Sequence, residues 1–456
     1  MAEIKVHFLG ASGTVTGSKF CLETPELNIM IDCGLFQGLK ALRELNRKPL
    51  AIPEADIDLV LLTHGHLDHC GYLPRLVVDG FGGEVLGTAP TLAIAEIILR
   101  DTAKIQEEEA EMANEEGYGK HHPALPLYTL EDAERAIGHF RAGDKDQWIR
   151  LSGNIRCRFI QNGHIIGATF IELELFGKCF VFSGDIGRQE DDLLAPPNKP
   201  RWADYLFMES TYGNKLHPQE DVAGILSGLV RQTIQETGTL IIPSFAVERL
   251  QSLMYLLWEL YRKNHIPNIP VFVDSPMGNN VLEVFEQFPS WHKLPMKDYY
   301  AMCNHAKIIS SYKETWETID DPRPKIVIAG SGMVTGGRVL TYLKQLIDSS
   351  STTILLVGYM AEGTRGRQLL EGASELKFFG KYHEVKAKVR HLESLSAHAD
   401  QKELLAWMGE LKNIPERVFL IHGEPNSLDV FRTKITDTYG WKVQVPALGA
   451  CISLFC

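Results

Sequence analysis

The sequence is poor in the features that mark membranes, secretion and covalent scaffolds. No apolar run in its 456 residues approaches the roughly 18 needed to span a bilayer. The opening segment MAEIKVHFLG has no basic region followed by an apolar core and a cleavage site, so no secretory signal is expected. The eight cysteines are scattered without a C-x-x-C pair, and a chain of this size needs no disulfide framework. Plain thiols in a reducing cytoplasm are the expectation. No internal repeat and no low-complexity linker is present. Positive charge is also scarce. Lys and Arg number 46 against 58 Asp and Glu, a net charge of −12, which by itself disfavours a phosphate-rich partner. That exclusion weakens if several acids serve a metal and the cations gather round one groove.

What is there reads as an α/β chain. Hydrophobic residues make up 45% and charged residues 23%, an ordinary globular composition, and the length calls for two or three domains. Ile4, Val6 and Phe8 alternate with Lys5 and His7, the period of a half-buried strand. The same grammar then recurs, a short apolar run emptying into polar residues. Leu59-Val60-Leu61-Leu62 leads to Thr63-His64, Phe180-Val181-Phe182 to Ser183-Gly184-Asp185, Leu206-Phe207-Met208 to Glu209, and Val418-Phe419-Leu420-Ile421 to His422. Open α/β sheets build sites at such strand ends. A helix is predicted from Thr88 to about Asn114, ending in an acidic run around 107–111 that reads as a solvated face. A loop is predicted over 117–126 from its Gly and Pro content. From Glu209 a second α/β pattern begins. Its strands, at 240–242, 271–273, 326–329 and 354–357, are continuously apolar, which points to a parallel sheet covered on both faces. From about Val385 the chain resumes the character of its first part, so the second domain reads as an insertion.

The strongest chemical signal is Thr63-His64-Gly65-His66-Leu67-Asp68-His69, an H-x-H-x-D-H cluster directly after a strand. Three imidazoles and a carboxylate at this spacing suit a divalent metal with nitrogen and oxygen preference, zinc above all. One such loop can aim donors at two neighbouring ions but cannot close both coordination shells. His164, Asp185 and His422, each beside a glycine at a strand end, are the partners the pattern supplies. Asp32, in Ile31-Asp32-Cys33-Gly34, is placed to orient a ligand from behind. The histidine pair His121-His122 and the other scattered histidines carry no role and read as ordinary surface residues.

In these residues the chain resembles a known superfamily. Asp32, the cluster at 64–69, His164 and Asp185 match in order the four motifs of the metallo-β-lactamase fold. Glu209, His398 in Leu395-Ser396-Ala397-His398-Ala399-Asp400, and His422 resemble motifs A, B and C of its β-CASP branch. That branch comprises nucleases related to the endonuclease subunit of the cleavage and polyadenylation specificity factor and to RNase J. The resemblance implies an αββα sandwich, 1–208 and 385–456, interrupted by an α/β β-CASP domain at 209–384. It implies two zinc ions per chain, one held by His64, His66 and His164, the other by Asp68, His69 and His422, with Asp185 shared. Asp68, Asp185, His398 and Glu209 would then be catalytic, His398 contacting the scissile phosphate or protonating the leaving oxygen and Glu209 orienting it. The implied reaction is hydrolysis of RNA by a hydroxide bridging the two metals, leaving 5′-phosphate and 3′-hydroxyl ends, by internal or 5′-end attack. The implied partners are single-stranded RNA and, by analogy, a second copy of the chain. Ser331, Gly332, Arg338 and Ser396 fall where the branch has substrate-binding loops, and the loop at 331–338 has glycine amides that suit a phosphate. Phe245 and Tyr359 occupy similar loops, although core packing is their simpler reading.

Departures from the relatives are visible. The chain begins at the first strand, without the KH modules of many archaeal members, and ends soon after His422. The stretch from Arg100 to Asp146 is longer than a minimal member needs and is a candidate roof for the site. Three other readings compete. A small-molecule or thioester hydrolase would use the same metals but lacks motifs A to C. A non-catalytic RNA scaffold would have lost ligands, whereas every position here is filled. A DNA-directed enzyme would carry valine at motif C, where this sequence has His422.

Overall fold

The structure, a computed structural model, describes residues 2–116 and 123–456. The pair His121-His122 and most of the loop predicted over 117–126 lie outside the described residues. The chain forms two compact units, Met1–Leu216 with His398–Cys456, and His217–Ala397. The sequence pattern divides the chain at 209 and 385, several residues earlier at each border. The strand Lys388–Leu392 pairs parallel with Thr352–Val357 inside the second unit.

In the first unit two seven-stranded sheets face each other across one apolar core. The strand Glu3–Phe8 has the alternating burial its sequence predicts, with Ile4, Val6 and Phe8 inward. From the opposite sheet come Phe182, Phe207 and Phe419, and their rings meet Phe8 and Phe20 at centroid distances of 5.5 to 6.2 Å. The second sheet's far face is closed by Trp407, Leu428 and Phe431 from the helices Gln401–Met408 and Pro425–Tyr439. On the first sheet's side the helices Leu73–Val78, Ala89–Glu116 and Leu130–Ile137 pack on one another. The architecture is thus a two-sheet sandwich flanked by helices, with an α/β domain between its two chain segments, as the resemblance implies.

Strand direction, more than layer count, positions the chemistry. Asn28–Ile31 runs parallel to Leu59–Leu61, and that strand to Glu84–Gly87, so the residues after them emerge on one rim. In the other sheet Lys178–Phe182, Tyr205–Glu209 and Arg417–Ile421 are likewise parallel neighbours. Asp32, His64, Asp185, Glu209 and His422 all stand at or just beyond the ends of these strands.

The second unit is a six-stranded, wholly parallel sheet in the order Lys307–Ile308, Val271–Asp274, Lys325–Ala329, Thr239–Pro243, Thr352–Val357, Lys388–Leu392. Its central strands are buried along their whole length, as continuous apolar runs require. Val339, Tyr342 and Leu343 from the helix Arg338–Leu346 help to cover one face. A small antiparallel hairpin, Glu375–Phe378 with Lys381–Glu384, completes the unit.

Candidate metal centre

All seven predicted metal-binding residues come together in the first unit. Donor atoms of His64, His66, His164 and Asp185 lie within 4.8 Å of one another, as do those of Asp68, His69 and His422. His64 Nε2 stands 3.1 Å from His66 Nδ1, and His164 Nε2 stands 3.3 Å from that same atom. His69 Nε2 and His422 Nε2 are 3.3 Å apart, with Asp68 Oδ2 3.6 Å from the latter. Asp185 sits between the groups. Its Oδ2 is 3.6 Å from His64 and His164, and its Oδ1 is 3.4 Å from His69 and 3.5 Å from His422.

The backbone that holds these groups is unusual. Asp32 and His422 both adopt positive φ, 55° and 49°, a conformation that costs energy for residues with a side chain and clusters at functional sites. Gly184, with φ of 52°, lets Asp185 turn inward, and a Cβ there would stand 2.8 Å from the Cβ of Thr63. His422 is tied by its N–H to the carbonyl of Ala11, and the Asp68 and His69 carbonyls accept from Ser18 and Cys33. Asn162 donates its amide to the carbonyls of Ser183 and Asp185, joining the loop of His164 to that of Asp185. The helix Ala89–Glu116 begins against this loop, with Thr88 and Thr91 donating to the Gly167 carbonyl. This anchoring is the part played by the start of that helix.

Hydrogen bonds on the outer side fix the imidazole tautomers. The Thr63 hydroxyl donates to Asp32, which leaves its oxygen to accept from His64 Nδ1–H at 3.1 Å. Asp32 Oδ2 accepts from His69 Nδ1–H at 2.7 Å, and the Thr211 hydroxyl accepts from His422 Nδ1–H at 3.1 Å. Each ring therefore turns its Nε2 inward, the atom a metal ligand must present. Asp32 is the residue the sequence offers for this task, and His69 is the ring it orients. Thr63 and Thr211 share the task without a comparable sequence signal, since each shows only adjacency to a histidine or closeness to Glu209.

Electrostatics agree with this picture for His64 and His66, whereas the carboxylates around His69 favour its charged form. Burial first, and then the neighbouring His69, hold the His64 pKa well below the usual imidazole range, and burial brings His66 down to about 4. Both are neutral near pH 7. Burial opposes charge on Asp185, but His422 and His69 outweigh it and keep the carboxyl ionised well below its ordinary range. Burial likewise opposes charge on His69, and there Asp185 and Asp32 prevail.

The donor set fits metal ions. Several nitrogen lone pairs face one another at 3.1 to 3.3 Å, close to the edge of about 3.4 Å in a tetrahedron with metal–ligand bonds of about 2.1 Å. Asp185 Oδ1 is buried without a hydrogen-bond partner, a cost that a cation would offset.

The catalytic pair predicted from motifs A and B also meets. Glu209 is wholly buried, its Oε1 accepting from Ile186 N–H at 2.7 Å and its Oε2 from Thr211 N–H at 3.2 Å. His398 Nδ1 faces Glu209 Oε1 at 3.4 Å, and its ring lies 4.5 Å from that of His164. Burial opposes a proton on His398, but Glu209 outweighs it and raises the pKa. Asp185, Glu209 and His398 themselves form a third group of convergent donors.

Ser331, Gly332, Arg338 and Ser396 belong to the second unit. The Ser331 hydroxyl accepts from the Thr335 and Gly336 amides, which closes the loop on itself. Gly332 lies under the ring of Phe245, where a Cβ would come within 2.5 Å. Arg338 is engaged internally, donating to Thr315 Oγ1 at 2.9 Å and standing 3.7 Å from buried Asp274. Ser396 is buried, its N–H donating to the Glu393 carbonyl.

Comparison with known proteins gives concordant matches. A metallo-beta-lactamase superfamily model matches residues 20–81, a Beta-Casp domain model residues 250–369, and a model of a Zn-dependent metallo-hydrolase RNA specificity domain residues 382–446. The chain is 33% identical over 428 residues to Ribonuclease TTHA0252 of Thermus thermophilus, covering 92% of this chain and 93% of that protein. It is 30% identical over 464 residues to Transcription termination factor FttA of Methanocaldococcus jannaschii, covering 97% and 70% respectively. Among solved structures, a protein of unknown function from Enterococcus faecalis V583 aligns over 99% of this chain and all of its own, with a TM-score of 0.55 and 13% identity, a likeness of fold alone.

Proposed function

We infer the function from one premise: this chain belongs to the β-CASP branch of the metallo-β-lactamase superfamily. On that premise it is a metal-dependent hydrolase acting on single-stranded RNA, with two zinc ions as cofactors and 5′-phosphate and 3′-hydroxyl ends as products. The observation that carries the reading is the pairing of two donor groups through one shared carboxylate, Asp185. Such a pair suits in-line attack at phosphorus, where attacking and leaving oxygens both need charge neutralised. A cytoplasmic setting accords with the free thiols and with the absence of any described helix long and apolar enough to cross a membrane.

His64, His66 and His164 would hold one ion, and Asp68, His69 and His422 the other, with Asp185 between them. When bound, the ions supply positive charge to the phosphoryl oxygens and lower the pKa of water toward neutrality. The chain's own residues do the rest. Asp32, Thr63 and Thr211 hold the imidazoles in the ligating tautomer. Glu209 keeps a proton on His398 and fixes its ring through Nδ1, leaving Nε2 to serve the leaving oxygen as a general acid. Ser331, Gly332, Arg338 and Ser396 are assigned to substrate contact.

The test is a cleavage assay on one single-stranded RNA labelled at either end, beside the matching DNA, with zinc and with a chelator. Chelator-sensitive cutting of RNA alone is the expected result, and the two ladders separate internal from 5′-end attack. Failure to cut either strand by protein carrying two zincs would overturn the reading in favour of a small-substrate hydrolase.

A further inference from the structure

The carboxyl rim of the second unit's parallel sheet carries an aromatic ring that its packing does not explain. Tyr312 is the first residue of the helix Tyr312–Asp320, which follows the strand Lys307–Ile308, and 61% of it is exposed. One face of the ring is taken by the guanidinium of Arg338, 3.5 Å from its centroid. Arg338 opens the helix after the strand Lys325–Ala329, which Val271–Asp274 separates from Lys307–Ile308, so it reaches Tyr312 along the same rim, where open parallel sheets bind ligands. The guanidinium is anchored by Thr315 and lies near Asp274, whose carboxyl is wholly buried. The stack is thus held from below and open above. One helical turn on, Trp316 is 43% exposed on the same helix face, while Lys313 pairs with exposed Glu317 at 3.9 Å.

A second Arg–aromatic stack sharpens the contrast. Arg156 and Arg158 lie 4.4 and 4.7 Å from the ring of Trp148, but both are paired with Glu174 and Glu172 on the next strand, and Trp148 is 37% exposed. That stack is a charge-balanced surface ladder, whereas the one at Tyr312 presents its ring to solvent. A greasy protein partner would gain nothing from a cation behind the ring. An anionic, π-rich polymer gains from both.

We propose that Tyr312, backed by Arg338, is a stacking platform for a base of single-stranded RNA, an assignment that rests on the proposed ribonuclease function. Full-length, zinc-loaded protein would be mixed rapidly with RNA carrying 2-aminopurine at successive positions, and quenching recorded before turnover. Wild type is expected to quench the probe at one position. Tyr312→Ala is expected to lose that quenching and to bind the RNA roughly five- to hundred-fold more weakly, the range for losing one stacked base. Tyr312→Phe should keep both. If wild type cuts RNA but Tyr312→Ala binds and quenches as wild type does, the platform is wrong and the ribonuclease reading stands. If wild type neither binds nor cuts RNA, both fall. Tight binding of a peptide library on this face, with RNA binding unchanged in Tyr312→Ala, would replace the platform with a protein interface.

Discussion

The buried cluster of the first unit and the rim loops of the second dispose of their polar atoms in opposite ways. At the cluster, outward hydrogen bonds to Asp32, Thr63 and Thr211 turn the imidazole Nε2 atoms inward, toward one another and toward a carboxylate oxygen with no hydrogen-bond partner. At the rim, the Ser331 hydroxyl is bound by its own loop, and the Arg338 guanidinium is spent on Thr315, Asp274 and Tyr312. A site built for a cation keeps buried valences open and tolerates strained backbone to do so. A loop that meets a solvated polymer can satisfy itself and still offer a surface. The contrast teaches that motif resemblance alone does not say how a residue will act, because Ser331 and Arg338 are engaged in packing at the positions proposed for recognition.

The sharpest way to break that contrast is at the cluster. The double replacement Asp68→Ala with His69→Ala removes two donors of one group and should abolish hydrolysis while lowering bound zinc, measured by elemental analysis on protein whose circular dichroism is unchanged. Full activity in a folded sample would remove the metal assignment. Next in size is His398→Ala. It should retain both zincs and slow cutting roughly 10²- to 10⁴-fold, the range for a lost acid–base group. Zinc loss instead would move His398 among the ligands, in the group it forms with Asp185 and Glu209.

Sequence distance decides how much of the molecule is legible in the chain alone. The cluster at 64–69 is local, so its spacing carries its meaning, and the glycine-flanked His164, Asp185 and His422 can be joined to it because each lies at a strand end. The parallel sheet of the second unit is legible for the same reason, in four continuous apolar runs. The two short or polar strands, Lys307–Ile308 and Lys388–Leu392, are not, since one is two residues long and the other reads as a charged segment with little periodicity. Thr63 and Thr211 as tautomer holders, and Tyr312 on Arg338, depend on contacts between residues far apart or on different strands. No pattern in a single sequence encodes those contacts.

The rim yields a smaller effect. Arg338→Ala removes the group beside the buried Asp274 carboxyl, so it should lower the stability of the chain by about 1–3 kcal/mol, the usual cost of a buried polar group left short of a partner. Thermal melting of the two proteins checks this. An unchanged melting temperature with weakened RNA binding would make Arg338 a pure ligand residue and erase the difference between rim and cluster.

The last effect is read from the pH dependence of stability and concerns a cation behind the cluster. Lys19 is fully buried, its Nζ donating to the Gly34 carbonyl and lying 4.5 Å from the ring of Phe36 and 4.9 Å from that of Tyr72. Gly34 in turn lies against the Asp68 backbone, where a Cβ would collide with the carbonyl oxygen. Burial pushes the Lys19 pKa down from 10.5 to about 8, against a smaller opposing influence of Cys33. Below pH 8 the folded and unfolded chains both carry the proton, and the cost of burying the charge is felt in full. Between about 8 and 10.5 the folded chain has released the proton and the unfolded chain has not, so stability rises with pH across that window. A shift of this size corresponds to about 3 kcal/mol. Lys19→Met deletes the titration. Urea unfolding at pH 7.5 and pH 10.5 should therefore show wild type gaining up to that amount relative to the variant. An equal difference at both pH values would mean that Lys19 holds its proton in the folded chain as firmly as it does in water.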